Sequence, residues 1–361
     1  MRYGKAAVLV KTATIETWEV PVMPPEPGGI LVQVVVGGVC GSDEHIASGA
    51  AGQMPFPVVL GHEGVGRIDT LGSGVTTDYA GVPINVGDLV YWSPIALCHR
   101  CHSCTVLDET PCDNSSFFED ASKPNWGSYA DYAWLPNGMA FYRLPEGADV
   151  DAIAALGCAL PTVLRGFEQC GPVSYTDSVV IQGAGPVGMA AVMVAQLCGA
   201  RQIIVLDHSP QRLAVARSFG ATATLALGEL SSEERLGQVS ELCGPQGASV
   251  VVEAAGALAA FPEGVNLTGK HGRYIILGLW GAIGNAAIAP RDITIRNMRV
   301  AGATFPKPKH YYQAMHLAAR MQERLPLAAL IGQRYAIKDA AQALASIKGG
   351  QTLKAVIDPS L

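Results

Sequence analysis

Residues 179–198 strongly restrict the folds open to this sequence. An apolar, strand-like run enters a G-x-G-x-x-G turn, and a helix-prone apolar segment follows. In this context Gly183 permits the tight turn, Gly185 lets a pyrophosphate approach the backbone, and Gly188 lets the helix pack closely on the strand. The helix N-terminus offers free N–H groups and a positive dipole end to phosphate. The predicted dinucleotide-binding turn consists of Gly183, Gly185, Pro186, Val187 and Gly188.

Alternating strands and helices continue beyond this turn. Strands are predicted at residues 202–206, 249–253 and 272–277, with helices at 211–219 and 233–242 between them. This alternation predicts a parallel, doubly wound sheet that binds ligands at the carboxyl ends of its strands. Farther along, residues 293–302 look strand-like, and residues 311–324 and 340–348 are predicted to be amphipathic helices.

Asp207 ends the second strand of this region and lies 19 residues after Gly188. That spacing is near the distance expected for the acid that binds the adenosine ribose hydroxyls. Because a carboxylate there would repel a 2′-phosphate, NAD is preferred over NADP. Arg212 leaves an alternative open, since a nearby arginine could accommodate that phosphate. Asp207 could also serve only as a helix N-cap, a role open equally to Ser209 or His208.

The first 160 residues have a different pattern. Short β-rich runs at residues 6–10, 30–36, 64–71 and 88–91 are broken by glycine and proline. They predict a partly open β-barrel with few helices.

Four cysteines in this region have the spacing C-x2-C-x2-C-x7-C. Four thiolates on one loop complete a tetrahedral Zn²⁺ site and leave no position for substrate, so a structural zinc is predicted. A disulfide pair, free thiols or an iron–sulfur cluster are the alternatives. His99 and His102, inside the loop, are read as solvated. The predicted ligands are Cys98, Cys101, Cys104 and Cys112.

A second group of reactive side chains is scattered along the chain. Cys40 and His62 are zinc-ligand types, and a site with three protein ligands and an open position is catalytic. Cys158 is the best remaining candidate for the third ligand, although a free core cysteine is the ordinary interpretation. His62 taken alone could equally be a hydrogen-bonded core histidine.

Composition limits the class of partner. The formal net charge is −6 and charged residues make up 16% of the chain. This argues against a nucleic-acid or anionic-membrane partner, because both need a basic face. No apolar run reaches the roughly 18 residues of a transmembrane helix, and the start lacks a secretory apolar region. A cytoplasmic location is the expectation.

Two further features concern ligands. Aromatic residues follow the cysteine loop and could line an apolar substrate pocket or simply pack in the core. The aromatic residues are Phe117, Phe118, Trp126, Tyr129, Tyr132 and Trp134.

Lys354, near the end of the chain, is expected to be a free cation, either solvated or paired with the cofactor pyrophosphate.

Together these motifs resemble the zinc-containing medium-chain alcohol dehydrogenases over the full length of the chain. The residues that carry the resemblance are Cys40-x-Ser-Asp-x-His45, Gly61-His62-Glu63, the four-cysteine loop, Gly157-Cys158, the glycine turn with Asp207, and Gly350-x-x-x-Lys354. Gly41 departs from the arginine of the horse-liver type and is similar to the sorbitol and threonine dehydrogenase branches.

The resemblance implies roles for these residues. Cys40, His62 and Cys158 would bind a catalytic zinc, with Glu63 as a transient ligand and Asp43 as a partner of a zinc-bound side chain. Ser42 and His45 would form a proton relay. Near the cofactor the resemblance places Thr162, Leu279 and Phe305 beside the nicotinamide and Arg212 at the adenosine ribose.

The resemblance also implies the architecture and the reaction. A GroES-like catalytic domain is expected at residues 1–160 and 303–361, and a Rossmann domain at 161–302. The expected reaction is zinc-assisted hydride transfer between NAD and an apolar secondary or cyclic alcohol, such as a hydroxylated terpenoid. An NADPH-dependent aldehyde or ketone reductase and a non-catalytic zinc- and nucleotide-binding protein are the alternatives. Residues 278–289 resemble the family's subunit-contact strand, so a homodimer or homotetramer is expected.

Overall fold

The computed structural model of the chain describes residues 2–52, 56–114, 125–348 and 352–361. Phe117 and Phe118, predicted near a substrate pocket, lie outside these residues, as does Gly350 of the C-terminal motif.

The described residues form strands and helices in chain order. The strands are β1 (Tyr3–Lys11), β2 (Thr14–Pro21), β3 (Ile30–Val39), β4 (Val58–Val59), β5 (Glu63–Leu71), β6 (Leu89–Ala96), β7 (Tyr132–Leu135), β8 (Met139–Arg143), β9 (Ser178–Gln182), β10 (Gln202–Asp207), β11 (Ala223–Ala226), β12 (Ala248–Glu253), β13 (Thr268–Ile276), β14 (Arg299–Gly302), β15 (Ile331–Tyr335) and β16 (Lys354–Ile357). The α-helices are α1 (Gly41–Ser48), α2 (Val150–Leu156), α3 (Ala159–Cys170), α4 (Pro186–Leu197), α5 (Pro210–Ser218), α6 (Ser232–Cys243), α7 (Ala260–Leu267), α8 (Pro290–Ile295), α9 (Pro308–Met321) and α10 (Ala340–Lys348). Shorter helical turns lie at Ser103–Leu107, Leu279–Gly281, Leu327–Leu330 and Ile337–Asp339.

The chain divides into two compact units. Unit 1 comprises Met1–Cys158 and Phe305–Leu361, and unit 2 comprises Ala159–Thr304. Unit 1 is therefore discontinuous in sequence, with unit 2 inserted between its two parts.

Unit 1 is built mainly on antiparallel sheets. One sheet has the order β2-β1-β4, and a larger one has the order β15-β16-β3-β5-β6-β8, with β7 also paired to β3. Strand β3 is buried along most of its length, as its apolar sequence requires, and pairs with β5, β7 and β16. The pairing with β16 brings the end of the chain beside residues 37–39, just before Cys40.

Unit 2 has one six-stranded parallel sheet with the order β11-β10-β9-β12-β13-β14. Numbered within the unit, this is the 3-2-1-4-5-6 order of the doubly wound dinucleotide-binding fold. Strands β9 and β12 are almost wholly buried, which explains their continuous Val and Ile runs. The predicted fold class, a GroES-like partly open barrel with a Rossmann domain, is confirmed.

Each unit has apolar cores of its own. In unit 1, one core joins α1 and α10 to β3 and β16 through side chains such as Ile46, Leu344 and Ile357. In unit 2, one face of the sheet packs against α6 and α7 through residues such as Val180, Leu206 and Tyr274. Packing in these cores fixes the positions of the strand ends, where the predicted site residues lie.

Several predicted elements differ in the structure. Residues 293–302 are not one strand, because Pro290 starts helix α8 and the strand begins only at Arg299. Among residues 278–289, expected to form a subunit-contact strand, the structure has a short 3₁₀ turn and no strand. Residues 152–160 are apolar and helix-prone in sequence, but the structure breaks the helix at residues 157–158, between the end of α2 and the start of α3.

No single helix among the described residues has the length and apolar character to cross a bilayer; α2 and α3 meet that test only jointly, as a bent pair.

Candidate metal centre and dinucleotide turn

Cys40 lies at the junction between β3 and α1. It has extended backbone angles (φ −118°, ψ 155°) and occupies the N-cap of α1. The Cys40 N–H donates to Asp43 Oδ2 at 3.0 Å, so the side chain of the third helical residue supplies an acceptor for the N-cap donor. The positive end of the helix dipole therefore faces the Cys40 sulfur, an environment that favours a thiolate.

Asp43 orients His62. Its Oδ1 lies 2.9 Å from His62 Nδ1, and its Oδ2 also accepts a hydrogen bond from the Tyr129 hydroxyl at 3.0 Å. The side chains of Asp43 and Tyr129 are wholly buried. With Nδ1–H donating to the carboxylate, His62 Nε2 is free to bind a metal.

Cys158 follows the break between α2 and α3. Gly157 has unusual backbone angles there (φ 23°, ψ −117°), and a Cβ on it would lie 2.2 Å from Glu63 Oε2. The Gly157 carbonyl accepts a hydrogen bond from the Tyr91 hydroxyl at 2.7 Å. Glycine is therefore required at this turn, which aims the Cys158 side chain at Cys40 and His62.

The Cys40–His62–Cys158 set fits a tetrahedral zinc. The two sulfurs lie 3.5 Å apart, and His62 Nε2 lies 3.4 Å from Cys158 Sγ. Zn–S bonds of about 2.3 Å and a Zn–N bond of about 2.0 Å place two thiolates about 3.8 Å apart and a thiolate about 3.5 Å from the nitrogen. A disulfide, at about 2.05 Å, is excluded by the sulfur separation.

Proton sharing within the set is unequal. Hydrogen bonding between the two sulfurs lowers the pKa of Cys40 and raises that of Cys158, because one proton is shared. Burial alone would lower the pKa of His62, but the Asp43 carboxylate raises it well above its ordinary value. Metal ligands must be deprotonated, so metal binding here releases protons.

Glu63 and Lys354 form a buried ion pair beside this set. Glu63 Oε2 contacts Lys354 Nζ, and the two side chains are each only 2% exposed. Burial by itself would raise the pKa of Glu63, but Lys354 and then His62 lower it to about 2. The expectation that Lys354 is a free cation is therefore wrong, because the pairing of β16 with β3 buries it.

Ser42 and His45 lie on α1, close to Cys40. Ser42 Oγ is 3.8 Å from Cys40 Sγ, and His45 Nδ1 is 3.5 Å from Glu44 Oε2. The His45 side chain is 35% exposed, which gives it access to solvent. Their role as a proton relay stays a prediction.

The four cysteines of residues 98–112, here the cysteine loop, also converge. Their sulfurs all lie within 4.8 Å of one another, and Cys101 Sγ is 3.8 Å from Cys112 Sγ. A backbone N–H of Arg100 helps to lower the pKa of Cys98 to about 6, which favours its thiolate. These distances fit a closed zinc site. His99 and His102 are both exposed, as predicted, and the ring of His99 stacks on Tyr79 with centroids 6.2 Å apart.

Two of the aromatic residues that follow the cysteine loop fit the core-packing alternative. Tyr129 is fully buried with its hydroxyl on Asp43, and Trp126 packs in an apolar cluster with Trp92 and Phe141. Tyr129 is therefore a support of the metal centre that the sequence reading missed. Its only sequence signal is its place among the aromatic residues that follow the cysteine loop.

The glycine turn of unit 2 has the predicted form. Gly183 has a φ of 98°, and α4 begins at Pro186 directly after the turn. A Cβ on Gly188 would lie 1.9 Å from the Gly183 carbonyl, whereas one on Gly185 would meet nothing within 4 Å. The turn is therefore packed tightly on the strand side and open beside Gly185, where the sequence predicts the pyrophosphate.

Asp207 lies at the carboxyl end of β10, beside this turn. Its carboxylate accepts N–H bonds from Ala184 at 2.7 Å and from Ser209 at 2.8 Å. It is not the cap of α5; Ser209 is, accepting from Arg212 N at 3.3 Å. Asp207 thus joins the first two strand ends of unit 2 and keeps further carboxylate lone pairs for a ligand.

The remaining predicted cofactor residues are distributed over both units. Thr162 lies on α3, Arg212 on α5 and Leu279 in a 3₁₀ turn, all in unit 2. Phe305 belongs to unit 1, has a φ of 52°, and its carbonyl accepts a hydrogen bond from Thr110. Their contacts with a cofactor stay predictions.

Unit 2 also has a cavity away from the glycine turn. It has a volume of about 440 Å³ and is lined by Asp177, Ser249 and Arg273, among others, at the amino ends of the strands. Parallel doubly wound sheets bind nucleotides at the opposite, carboxyl ends. This cavity is therefore not the predicted dinucleotide site.

Unit 1 carries the Cys40–His62–Cys158 set, and unit 2 has the doubly wound dinucleotide-binding fold. This combination is typical of zinc-dependent dehydrogenases. The family model described as an alcohol dehydrogenase GroES-like domain matches residues 26–146, and the zinc-binding dehydrogenase model matches residues 186–320. The chain belongs to the zinc-dependent medium-chain alcohol dehydrogenase family. The predicted family and the prediction of a zinc-dependent oxidoreductase that acts on an alcohol are confirmed.

Individual relatives extend this result. The chain is 68% identical, over 361 residues and 100% of both chains, to the 5-exo-hydroxycamphor dehydrogenase of Pseudomonas putida. The crystal structure of an alcohol dehydrogenase from Thermotoga maritima matches with a TM-score of 0.91 and 28% identity, covering 99% of this chain and 100% of that one. A protein assigned as a zinc-binding dehydrogenase from Sinorhizobium meliloti 1021, with bound NADP, matches with a TM-score of 0.86 and 26% identity, covering 99% and 100%.

Proposed function

We propose that this enzyme interconverts a cyclic secondary alcohol of the hydroxylated terpenoid class and its ketone, with NAD as the hydride acceptor. The observation that carries the substrate class is the 68% identity, over the whole of both chains, with a protein named 5-exo-hydroxycamphor dehydrogenase. That substrate name describes a secondary hydroxyl on a rigid bicyclic terpenoid, which is an apolar molecule without charge.

The Cys40–His62–Cys158 set is the proposed holder of the catalytic zinc. The convergence of its three ligand atoms, with ligand separations near those of a tetrahedral site, supports this assignment. Zinc bound there would supply Lewis-acid polarisation of the substrate oxygen. Asp43 fixes the His62 ring through Nδ1–H, so that Nε2 points at the metal position.

Ser42 and His45 are the proposed proton carriers. Ser42 Oγ lies near the Cys40 sulfur and can accept the hydroxyl proton of an alcohol held at the metal position. His45, on the same helix and partly exposed, can release that proton to solvent. In the reverse direction the same groups return the proton to the forming alcohol.

Unit 2 is the proposed cofactor domain, and the nicotinamide ring of the cofactor carries the hydride. The open backbone at Gly185 and the N-terminus of α4 support pyrophosphate binding there. Asp207 supports NAD, because its carboxylate stands at the strand end where a 2′-phosphate would be repelled. Thr162, Leu279, Phe305 and Arg212 are proposed as further cofactor contacts.

The second zinc, the location and the assembly are also proposals. Four converging sulfurs in the cysteine loop support a structural zinc. Two zinc–thiolate sites need reduced cysteines, which supports the cytoplasm. A homodimer or homotetramer is proposed on the family resemblance of residues 278–289. Light scattering on the purified protein measures the assembly directly.

A substrate panel monitored by NADH formation tests the substrate class. Bicyclic secondary alcohols, 5-exo-hydroxycamphor among them, are expected to give the highest kcat/KM. Sorbitol, xylitol and threonine serve as polar comparisons. A preference for these polar substrates over all bicyclic alcohols would overturn the proposal.

The cofactor proposal is tested by the ratio of kcat/KM for NAD⁺ and NADP⁺. Asp207→Gly is expected to lower the preference for NAD about 10- to 100-fold, since hydrogen bonds to charged groups contribute about 1.5–3 kcal/mol. Asp207→Asn is the matched control, because it removes the charge and keeps one acceptor oxygen for Ala184 N–H, while the amide nitrogen replaces the oxygen that accepts from Ser209 N–H. A parent enzyme that prefers NADP⁺ would favour the NADPH-dependent reductase instead.

A further inference from the structure

Glu63 and Lys354 meet across a strand that separates them. Glu63 opens β5 and Lys354 opens β16, and both strands pair with β3. Gly38 of β3 lies directly opposite Glu63, and a Cβ on Gly38 would lie 2.0 Å from Glu63 Oε2. The ion pair therefore exists because the intervening strand has no side chain at this point.

The same carboxylate also contacts the last ligand of the metal centre. Glu63 Oε1 accepts the N–H of Cys158 at 2.9 Å, and the lack of a side chain on Gly157 makes room for Oε2. Glu63 therefore has one oxygen on the Cys158 backbone and the other on Lys354. A Glu63 oxygen also lies within 4.8 Å of each ligand atom of the Cys40–His62–Cys158 set.

A buried carboxylate needs a cation. Glu63 is 3% exposed, so water cannot replace Lys354 if the ammonium is removed. The nearest other cationic position is that of the zinc, which takes carboxylate oxygens readily as ligands. The arrangement thus offers Glu63 two alternative partners, and Lys354 occupies one of them.

We propose that Lys354 is a positioning residue for the metal centre: it holds Glu63 against the Cys158 N–H and keeps the carboxylate out of the open metal position. This proposal rests on the proposed assignment of Cys40, His62 and Cys158 as zinc ligands. It differs from the sequence prediction for Lys354, which was contact with the cofactor pyrophosphate.

Cobalt substitution at the catalytic site tests the proposal without turnover. Parent protein loaded with Co²⁺ is expected to show a thiolate-to-cobalt charge-transfer band, and added imidazole should shift its d–d bands by entering the open position. In Lys354→Met, Glu63 takes that position, so the d–d bands move and imidazole no longer shifts them. In activity, kcat/KM is expected to fall about 10- to 100-fold, the range typical when a ligand's support is lost.

Three further variants make the test specific. Lys354→Arg keeps the cation and should retain the parent spectrum. The double variant Lys354→Met with Glu63→Gln removes both charges and should regain the imidazole response. Lys348→Met is the matched control, because Lys348 pairs with Glu44 at an exposed site, 67% accessible, and its loss should leave the spectrum unchanged.

The outcomes separate the two levels of proposal. A parent protein without the charge-transfer band would overturn the zinc-ligand assignment. A normal parent together with a Lys354→Met variant of unchanged spectrum and imidazole response would overturn only the role of Lys354. Circular dichroism and the zinc content of the cysteine loop check the fold. If Lys354→Met is insoluble, Lys354→Gln, which also lacks the charge, is measured with the same two outcomes.

Discussion

The two metal-ligand sets of unit 1 are built in opposite ways. The cysteine loop collects four sulfurs from residues 98–112, and three of the four cysteines are partly exposed. The Cys40–His62–Cys158 set takes its ligands from three distant segments and is braced by Asp43 and Glu63. A local set depends on its metal for order, whereas the distant set depends on the fold that surrounds it.

This difference leads to opposite expectations for metal loss. The cysteine loop has few apolar residues of its own, so the metal replaces a core there. The distant set is held by sheet pairing, hydrogen bonds and a buried ion pair that persist without the metal. Loss of the metal should therefore affect mainly stability in the first case and mainly chemistry in the second.

The largest expected effect is on turnover in Cys40→Ala. Removing this ligand should lower kcat/KM by about 10³-fold or more, because Lewis-acid polarisation contributes several kcal/mol to the transition state. The melting temperature should change little, since β3 and α1 keep their pairing and packing. Steady-state kinetics, zinc content and calorimetry measure the three quantities, and zinc content should fall by about one atom per chain.

The next effect is on stability in Cys101→Ala. Loss of the loop metal should destabilise unit 1 by about 2 kcal/mol, which corresponds to a fall of about 4–8 °C in melting temperature for domains of this size. The activity per folded molecule should stay near that of the parent at low temperature. Calorimetry of both alanine variants side by side decides the comparison, and equal melting temperatures in the two would refute it.

The smallest effects are expected in variants that keep the three ligands and weaken the hydrogen bonds that orient His62, which come from Asp43 and Tyr129. Asp43→Asn should lower the zinc affinity of the catalytic site about 10- to 100-fold, since it leaves His62 without its carboxylate. Tyr129→Phe removes only one hydrogen bond to Asp43, so its effect should be near 1 kcal/mol, or about fivefold. Zinc release to a chelator ranks the variants. Faster release from the cysteine loop in either variant would contradict the separation of the two sets.

The same contrast explains what the sequence could predict. The cysteine loop and the glycine turn were predicted correctly in their geometry, because each concentrates its chemistry within about fifteen residues of chain. No local spacing links Cys40, His62 and Cys158, so they could be grouped only by residue type, with Cys158 as the best remaining candidate, and by the family resemblance. The sequence cannot show that Cys158 follows a helix break, because residues 152–160 have a helix-prone composition throughout.

Other features depend on tertiary pairing and could not be predicted. Lys354 looks like an ordinary surface lysine until β16 places it beside β3 and opposite Glu63. Residues 293–295, Ile-Thr-Ile, have high β-propensity, yet they form the end of α8 because Pro290 starts a helix there. In both places the surroundings override the local preference.

The discontinuity of unit 1 has a consequence for biosynthesis. The four sulfurs of the cysteine loop are all present once residue 112 has left the ribosome, so that loop can take its metal early. Lys354 is translated only after the whole of unit 2, and until then Glu63 lacks this ion-pair partner. Since domains tend to fold as they emerge, the nascent chain must keep this carboxylate hydrated, and the catalytic pocket matures only when the final strand joins its sheet.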